Sequence, residues 1–274
     1  FKGESVADAR ALVETALASG ITLLDTADIY GADTPYGFGS AEALLGKVLH
    51  DAPHLREKFV LASKGGIILG VPYNSSADYL VTACEASLQR LGVEKIDLYQ
   101  VHRPDVLAHP AEVAAALVKL REQGKIDAVG VSNYLPSQVA ALQAHLPFPL
   151  ASIQPEFSPL AIEPLSDGVL DQALERDMAV LAWSPLGGGR LAGEGIDDRG
   201  RAVIDALDVV ARPQHVDRAA VALAWIMAHP SRPVPIVGSQ TPERIKASAD
   251  ALHVHMTRAQ WYAILTASRG VPLP

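Results

Sequence analysis

The sequence predicts an α/β fold of parallel strands, a (β/α)8 TIM barrel, and three observations carry that reading. Short apolar runs rich in β-branched residues alternate with helix-period segments throughout the 274 residues. Polar or aromatic residues stand at the C-terminal end of each of those runs. No Pro/Gly/Ser-rich linker and no shift of composition divides the chain, so residues 1–274 read as a single barrel domain. A single α/β barrel typically runs to about 250 residues, which this length accommodates.

The strand candidates are residues 21–25, 59–63, 96–101, 128–131, 150–154, 179–183 and 234–237. Runs this short and this uniformly apolar suit strands covered on both faces, as in a parallel sheet under helices. Helix-period segments lie between them, among them residues 7–18, 77–91, 111–123 and 218–229. Ser76 or Asp78 can cap the second of these, and Gly124 stands just past the third, where a left-handed cap is wanted. Alternating βα units imply a parallel sheet with its helices outside, either closed or open. Seven strands are counted where a closed barrel has eight, and the chain opens on a helix. The first strand is therefore missing and is expected ahead of Phe1.

Hydrophobic residues make up 49% of the chain, enough to fill a sizeable core. The formal net charge of -8 argues against a partner with a phosphate backbone. No apolar run approaches the roughly 18 residues that span a bilayer, and no signal peptide precedes the first helix. The one cysteine, Cys84, falls in the apolar-periodic set Leu80, Cys84, Leu88 and Leu91, so it reads as a packing thiol. These features fit a cytoplasmic protein. The sequence leaves monomer or homo-oligomer open.

Chemistry gathers at the strand ends. The first run ends in Asp25 with Tyr30 close behind, the next in Ser63-Lys64, and the third in His102-Arg103. Then come Ser132-Asn133, Gln154 with Glu156, Trp183-Ser184, and Gly238-Ser239. In a (β/α)8 barrel these ends converge on one mouth, where such folds place their chemistry, whereas an open sheet spreads them along an edge. Singly, each residue has an ordinary reading: a solvated lysine, a hydrogen-bonded histidine, an aspartate capping a turn, a tyrosine packed at a rim. Together they suit hydride transfer to a carbonyl, which creates an alkoxide that must receive a proton. A tyrosine of ordinary pKa, ~10, is a sluggish acid at neutral pH. A lysine ammonium beside it favours the phenolate, a carboxylate keeps that buried lysine charged, and a histidine polarises the carbonyl oxygen. The histidines and Cys84 show neither HExxH nor CxxC spacing, so no metal is expected.

Five stretches are more specific. They are Leu23-Leu24-Asp25-Thr26-Ala27-Asp28-Ile29-Tyr30-Gly31, Ala62-Ser63-Lys64, Asp97-Leu98-Tyr99-Gln100-Val101-His102-Arg103-Pro104-Asp105, Gly130-Val131-Ser132-Asn133, and Ala182-Trp183-Ser184-Pro185-Leu186-Gly187-Gly188-Gly189. In these the chain resembles the aldo-keto reductase superfamily over essentially its whole length, nearest to bacterial oxidoreductases with a short C-terminal tail. The resemblance implies an NAD(P)H-dependent oxidoreductase that reduces aldehydes or ketones to alcohols. It implies a tetrad of Asp25, Tyr30, Lys64 and His102, with Tyr30 as general acid. Ser132, Asn133 and Gln154 would hold the nicotinamide carboxamide, and Trp183 would stack on its ring. Ser184, Leu186 and Gly188 match the loop around the pyrophosphate, where glycines allow close backbone approach. Taken alone, Gly187 to Gly189 would also read as a plain flexible loop.

A sixth stretch, from Ile236 to Arg244, aligns with the segment that grips the adenosine end of the cofactor. Ser239, Thr241 and Arg244 fit, and Arg244 would either stack on adenine or pair with a 2′-phosphate. Gly238 stands where many members have a lysine for that phosphate, and Ala247 and Ser248 stand where many have Glu and Asn. NADPH is expected as the preferred cofactor, with NADH also open. Residues 31–39, 65–74 and 104–110 are the candidate substrate loops, with Tyr36, Phe38 and Tyr73 as apolar walls. The tail after Ser268 is too short for a lid, so an open site acting broadly on aldehydes or simple ketones is expected. Two other classes remain: a cofactor-binding regulatory barrel with little turnover, which has no need of the tetrad's acid, and a metal-dependent hydrolase on the same barrel.

Overall fold

The computed structural model describes residues 3–193 and 197–273. The chain forms two compact units, Phe1–Ile153 and Gln154–Pro274.

In the first unit, helix α1 (Val6–Ala18) opens on Ser5, whose hydroxyl accepts from the Asp8 amide. There follow β1 (Leu23–Asp25), α2 (Ser40–Asp51), β2 (Val60–Gly65), a hairpin of β3 (Ile67–Ile68) and β4 (Val71–Tyr73), and α3 (Ala77–Leu91). The unit continues through β5 (Ile96–Val101), α4 (Pro110–Glu122), β6 (Ile126–Ser132) and α5 (Pro136–Gln143). Strands β1, β2, β5 and β6 run parallel in chain order, with Leu24 opposite Leu61, Ser63 opposite Tyr99, and Tyr99 opposite Val129. That order follows from the helical crossovers, each of which returns the chain beside the strand it left. Every residue of β2 after Val60 is buried, as a strand covered on both faces requires.

The boundary between the units falls within β7 (Ser152–Gln154). The second unit holds α6 (Val169–Glu175), β8 (Ala179–Ala182), α7 (Asp198–Ala211), α8 (Arg218–Met227), β9 (Val234–Pro235), α9 (Pro242–Ser248) and α10 (Arg258–Arg269). Strand β8 pairs in parallel with β9, Leu181 opposite Val234. Asp197 and Asp217 cap α7 and α8 by accepting from the Gly200 and Ala219 amides. Trp225 is fully buried and stacks on Trp261 at 4.9 Å between ring centroids. Each indole N–H donates to the other residue's carbonyl, at 3.1 and 2.9 Å, which fastens α10 to α8.

Parallel strands in chain order with helices between them are the βα alternation the sequence predicts. Strand β5 has the expected bounds, and the other expected strands differ by one to three residues at their ends, where pairing rather than composition decides. The 65–74 stretch, read as a loop, instead contains the hairpin, with Gly70 at φ +81° in its turn. Strands of two and three residues leave no periodicity to detect. Ser76 does sit at the N-cap of α3, but its side chain makes no capping bond there. Gly124 adopts the left-handed conformation expected of it, at φ +70°. Cys84 is buried, and burial pushes its thiol up to about 12. Among the described residues no helix is long and apolar enough to cross a membrane.

Close packing of α2 on α3 holds the first unit's outer layer. Gly46 lies so near α3 that a Cβ there would collide with the Arg90 carbonyl oxygen. Gly46→Ala must therefore part the two helices, and we expect a loss of about 1–3 kcal/mol, the range for overpacking a tight contact. Urea unfolding measures it, and an unchanged midpoint would mean that the helices part without strain.

Candidate active site

The first unit brings the tetrad together. Asp25 ends β1 and Lys64 lies near the end of β2, and pairing of Asp25 with Ala62 sets the two strand ends side by side. Lys64 Nζ donates to Asp25 Oδ2 at 2.5 Å, with side-chain exposures of 0% and 3%, and to the Thr26 carbonyl at 2.8 Å. The second Asp25 oxygen accepts from Gln100 Nε2 at 3.3 Å. Burial works to discharge Lys64. The Asp25 carboxylate hydrogen-bonded to it, and Tyr30, whose ring centre lies 4.9 Å from Nζ, more than offset that and hold its pKa above the ordinary lysine value.

Tyr30 stands on the turn after β1, where its amide donates to the Ala27 carbonyl at 3.1 Å. Its side chain is 37% exposed, so the phenol meets Lys64 on one side and solvent on the other. His102 follows β5, its amide held by the Gly65 carbonyl at 2.9 Å, and its ring meets the Tyr30 ring edge-on at 5.8 Å. Burial, then the Lys64 and Arg103 charges, lower the His102 pKa to about 3, so the imidazole is neutral at physiological pH. Its Nδ1 is buried without a hydrogen-bond partner.

Ser132 ends β6 and Asn133 follows it at φ +61°, a left-handed conformation that asparagine tolerates. The Asn133 amide nitrogen donates to Ser132 Oγ at 2.8 Å and to the His102 carbonyl at 3.3 Å. Both residues thus join the tetrad's neighbourhood.

The second unit holds the remaining expected residues. Gln154 is buried at the end of β7. Trp183 follows β8 and is pinned by its amide, which donates to the Pro155 carbonyl at 3.1 Å. The loop after it is wound tightly: Ser184, Gly187, Gly188 and Gly189 all have positive φ, and Ser184 Oγ accepts from the Gly188 amide at 2.9 Å. Leu186 anchors this loop on a small apolar cluster of Ala220, Leu223, Ala224 and Ala251, against which Val237 also packs. One core patch therefore supports both the 184–189 loop and the approach to Gly238. Ser239 Oγ accepts from the Thr241 amide at 3.1 Å, and Thr241 and Arg244 are exposed at the start of α9.

Two contributors were missed from sequence. Gln100 lies in a buried strand and holds Asp25, and its signal was an amide in the apolar run before His102. The Thr26 carbonyl holds Lys64, and a backbone acceptor leaves no trace in the residue types.

The neutral His102 has a consequence for stability. The unfolded chain takes up a proton near the ordinary histidine value of 6.5, whereas the folded chain refuses it until about pH 3. The stability that His102 contributes is therefore present in full above about pH 6.5 and is lost as pH drops through that window. Urea unfolding of the parent and of His102→Asn at about pH 7 and about pH 5 isolates it: relative to the parent, the variant should lose less stability over that interval. Equal pH slopes for variant and parent would refute this assignment.

A sequence model of the Aldo/keto reductase family matches residues 3–268. A 6-dehydroglucose reductase of Novosphingobium aromaticivorans is 54% identical over 272 residues, 99% of this chain and 89% of that protein. A 6-dehydroglucose reductase of Agrobacterium fabrum is 38% identical, over 97% of this chain and 89% of its own length. Oxidoreductase YdhF of Escherichia coli is 40% identical, over 96% and 88% respectively. Motifs, parallel strand order and similarity agree: the chain belongs to the aldo/keto reductase family, an α/β fold consistent with a (β/α)8 barrel, and is an oxidoreductase of that family.

Proposed function

We propose that this chain reduces an aldehyde carbon to a primary alcohol with a nicotinamide cofactor, NADPH ahead of NADH, and that its substrate is a sugar oxidised at C6. The observation that carries the reading is the Tyr30 ring lying 4.9 Å from the ammonium of a fully buried, carboxylate-paired Lys64. The substrate class is supported by the two relatives named 6-dehydroglucose reductase. That sugar is an aldehyde, within the class expected from the tetrad, but narrower than the broad activity expected from a short tail.

The second unit's residues fit a dinucleotide. Positive φ at Ser184 and at Gly187 to Gly189 winds the loop back on itself, its Gly187, Gly188 and Gly189 amides donating to the Ser184 carbonyl, Ser184 Oγ and the Leu186 carbonyl. Nothing lies within 4 Å of where a Cβ of Gly188 would stand, so its backbone is open to close approach by a pyrophosphate. In our reading Ser184, Leu186 and Gly188 take the pyrophosphate, Ser239, Thr241 and Arg244 the adenosine end, and Trp183, Gln154, Ser132 and Asn133 the nicotinamide. Gly238 has open space around it, so the phosphate contact falls to Arg244, whose guanidinium suits a 2′-phosphate.

When bound, the reduced nicotinamide supplies the hydride. Tyr30 gives its proton to the carbonyl oxygen as that oxygen gains charge, and hydride plus proton complete the alcohol. Lys64 meets the phenolate left behind, and Asp25 keeps Lys64 charged for that task. His102, neutral, donates one N–H to the same carbonyl oxygen without competing as an acid. Tyr30 recovers its proton through its exposed side. A single buried thiol fits a cytoplasmic setting for this work.

The test is oxidation of NADPH and NADH by the purified protein with 6-dehydroglucose and a panel of simple aldehydes, beside Tyr30→Phe and Arg244→Ala. We expect turnover of the sugar aldehyde, a loss on the order of 10²- to 10⁴-fold in Tyr30→Phe with cofactor affinity retained, and a larger loss for NADPH than NADH in Arg244→Ala. Near-parental turnover by Tyr30→Phe would remove Tyr30 as the acid. Equal losses for both cofactors would point Arg244 to adenine instead.

A further inference from the structure

Asp28 is a buried carboxyl that the reduction as described does not use. It lies between Asp25 and Tyr30 in the chain, is 1% exposed, and has no side-chain partner for either oxygen. Its amide donates to the Lys64 carbonyl at 3.0 Å, so its backbone ties the Tyr30 turn to β2. The Tyr99 hydroxyl, on β5, is likewise buried and unpartnered. Gly65 shows that the two are neighbours. A Cβ there would collide with the Tyr99 hydroxyl and come 3.4 Å from Asp28 Oδ2. Only glycine leaves the Tyr99 hydroxyl room on that face of the strand.

Charged and titratable groups surround Asp28 on every packed element: Glu42 from α2, Arg90 and Tyr79 from α3, Lys64 from β2, and Tyr99 from β5. Glu42 is itself held by Ser63 Oγ at 2.5 Å and Arg90 Nε at 2.7 Å. Burial and the Glu42 charge push Asp28 up, the Ile29 amide, Arg90 and Lys64 draw it down, and it comes to rest at about 7. Tyr99 is pushed well above its ordinary value, chiefly by burial, so it remains a neutral hydroxyl near that carboxyl.

We propose that Asp28 is a positioning residue for the reduction: its carboxyl, backed by the Tyr99 hydroxyl across Gly65, carries a second negative charge that Lys64 must share with the Tyr30 phenolate. The proposal rests on Tyr30 being the proton donor. With Asp28 protonated, Lys64 answers Asp25 and supports the phenolate. With Asp28 ionised, the added negative charge opposes the phenolate, and proton donation by Tyr30 weakens. Reduction should therefore decline as pH rises through about 7.

The experiment is kcat for aldehyde reduction, at saturating cofactor, from about pH 5 to about pH 9. It compares the parent with Asp28→Asn, Asp28→Glu, Tyr99→Phe and Tyr30→Phe. The parent should fall on the order of fivefold across the step. Asp28→Asn should keep the low-pH rate without the step, and Asp28→Glu should restore it. Tyr99→Phe takes a polar hydroxyl out of the buried surroundings of the carboxyl, which makes ionisation costlier, so its step should move to higher pH. An Asp28→Asn profile that superimposes on the parent's overturns the proposal. If Asp28→Asn does not fold, Tyr99→Phe decides: a displaced step supports the proposal and an unmoved one overturns it. Tyr30→Phe separates the two readings. If it is active, the proton donor is wrong and this proposal falls with it. If it is inactive while Asp28→Asn matches the parent, only the role of Asp28 fails.

Discussion

A lysine ammonium taken wholly out of water loses several kcal/mol of hydration, so Lys64 stays charged only through what surrounds it. Asp25 supplies the opposite charge, the Thr26 carbonyl accepts a second hydrogen bond from the ammonium, and Gln100 donates to the far carboxylate oxygen. Every part of that arrangement depends on the parallel pairing of β1 with β2 and of β2 with β5. A strand slipped by one residue would turn Lys64 or Asp25 to the opposite face and leave a buried charge without its partner. The sheet register and the charge of one lysine are thus a single constraint.

That constraint explains the division of labour within the sequence. The first unit builds a charged, hydrogen-bonded cluster around Lys64 from strand ends, where backbone pairing fixes side chains most firmly. The second unit carries glycine-rich and polar loops whose conformations are left-handed and whose anchors, Leu186 and Val237, share one small apolar cluster. Rigid strands suit proton transfer, which tolerates little displacement.

The parts of this that were legible in the sequence share a property: they are written in local pattern. Strand β5 reads residue for residue because Ile96, Leu98, Tyr99 and Val101 carry an apolar run up to His102, bounded by Glu94-Lys95 before it and Arg103-Pro104 after it. The partnership of Lys64 with Asp25 was legible because a lysine inside a buried strand demands a carboxylate. The hairpin at Ile67 to Tyr73 was not, since two short strands have no period to recognise. Nor were Gln100, the Thr26 carbonyl, or the neighbourhood of Asp28, Tyr99 and Gly65. Those contacts join residues far apart in the chain through strand register, and a backbone carbonyl or an absent Cβ has no signature in residue type. The α2–α3 contact through Gly46 and the Arg90–Glu42 pair were hidden for the same reason.

The most direct test of the central claim is a stability cycle on the buried pair, by urea unfolding of Asp25→Asn, Lys64→Met and the double variant at neutral pH. Each single variant leaves one partner buried without the other, at an expected cost of about 3–5 kcal/mol. The double variant removes both and should cost less than either single change. Losses that simply add in the double variant would contradict the account, because they would mean that Lys64 and Asp25 stabilise the fold independently.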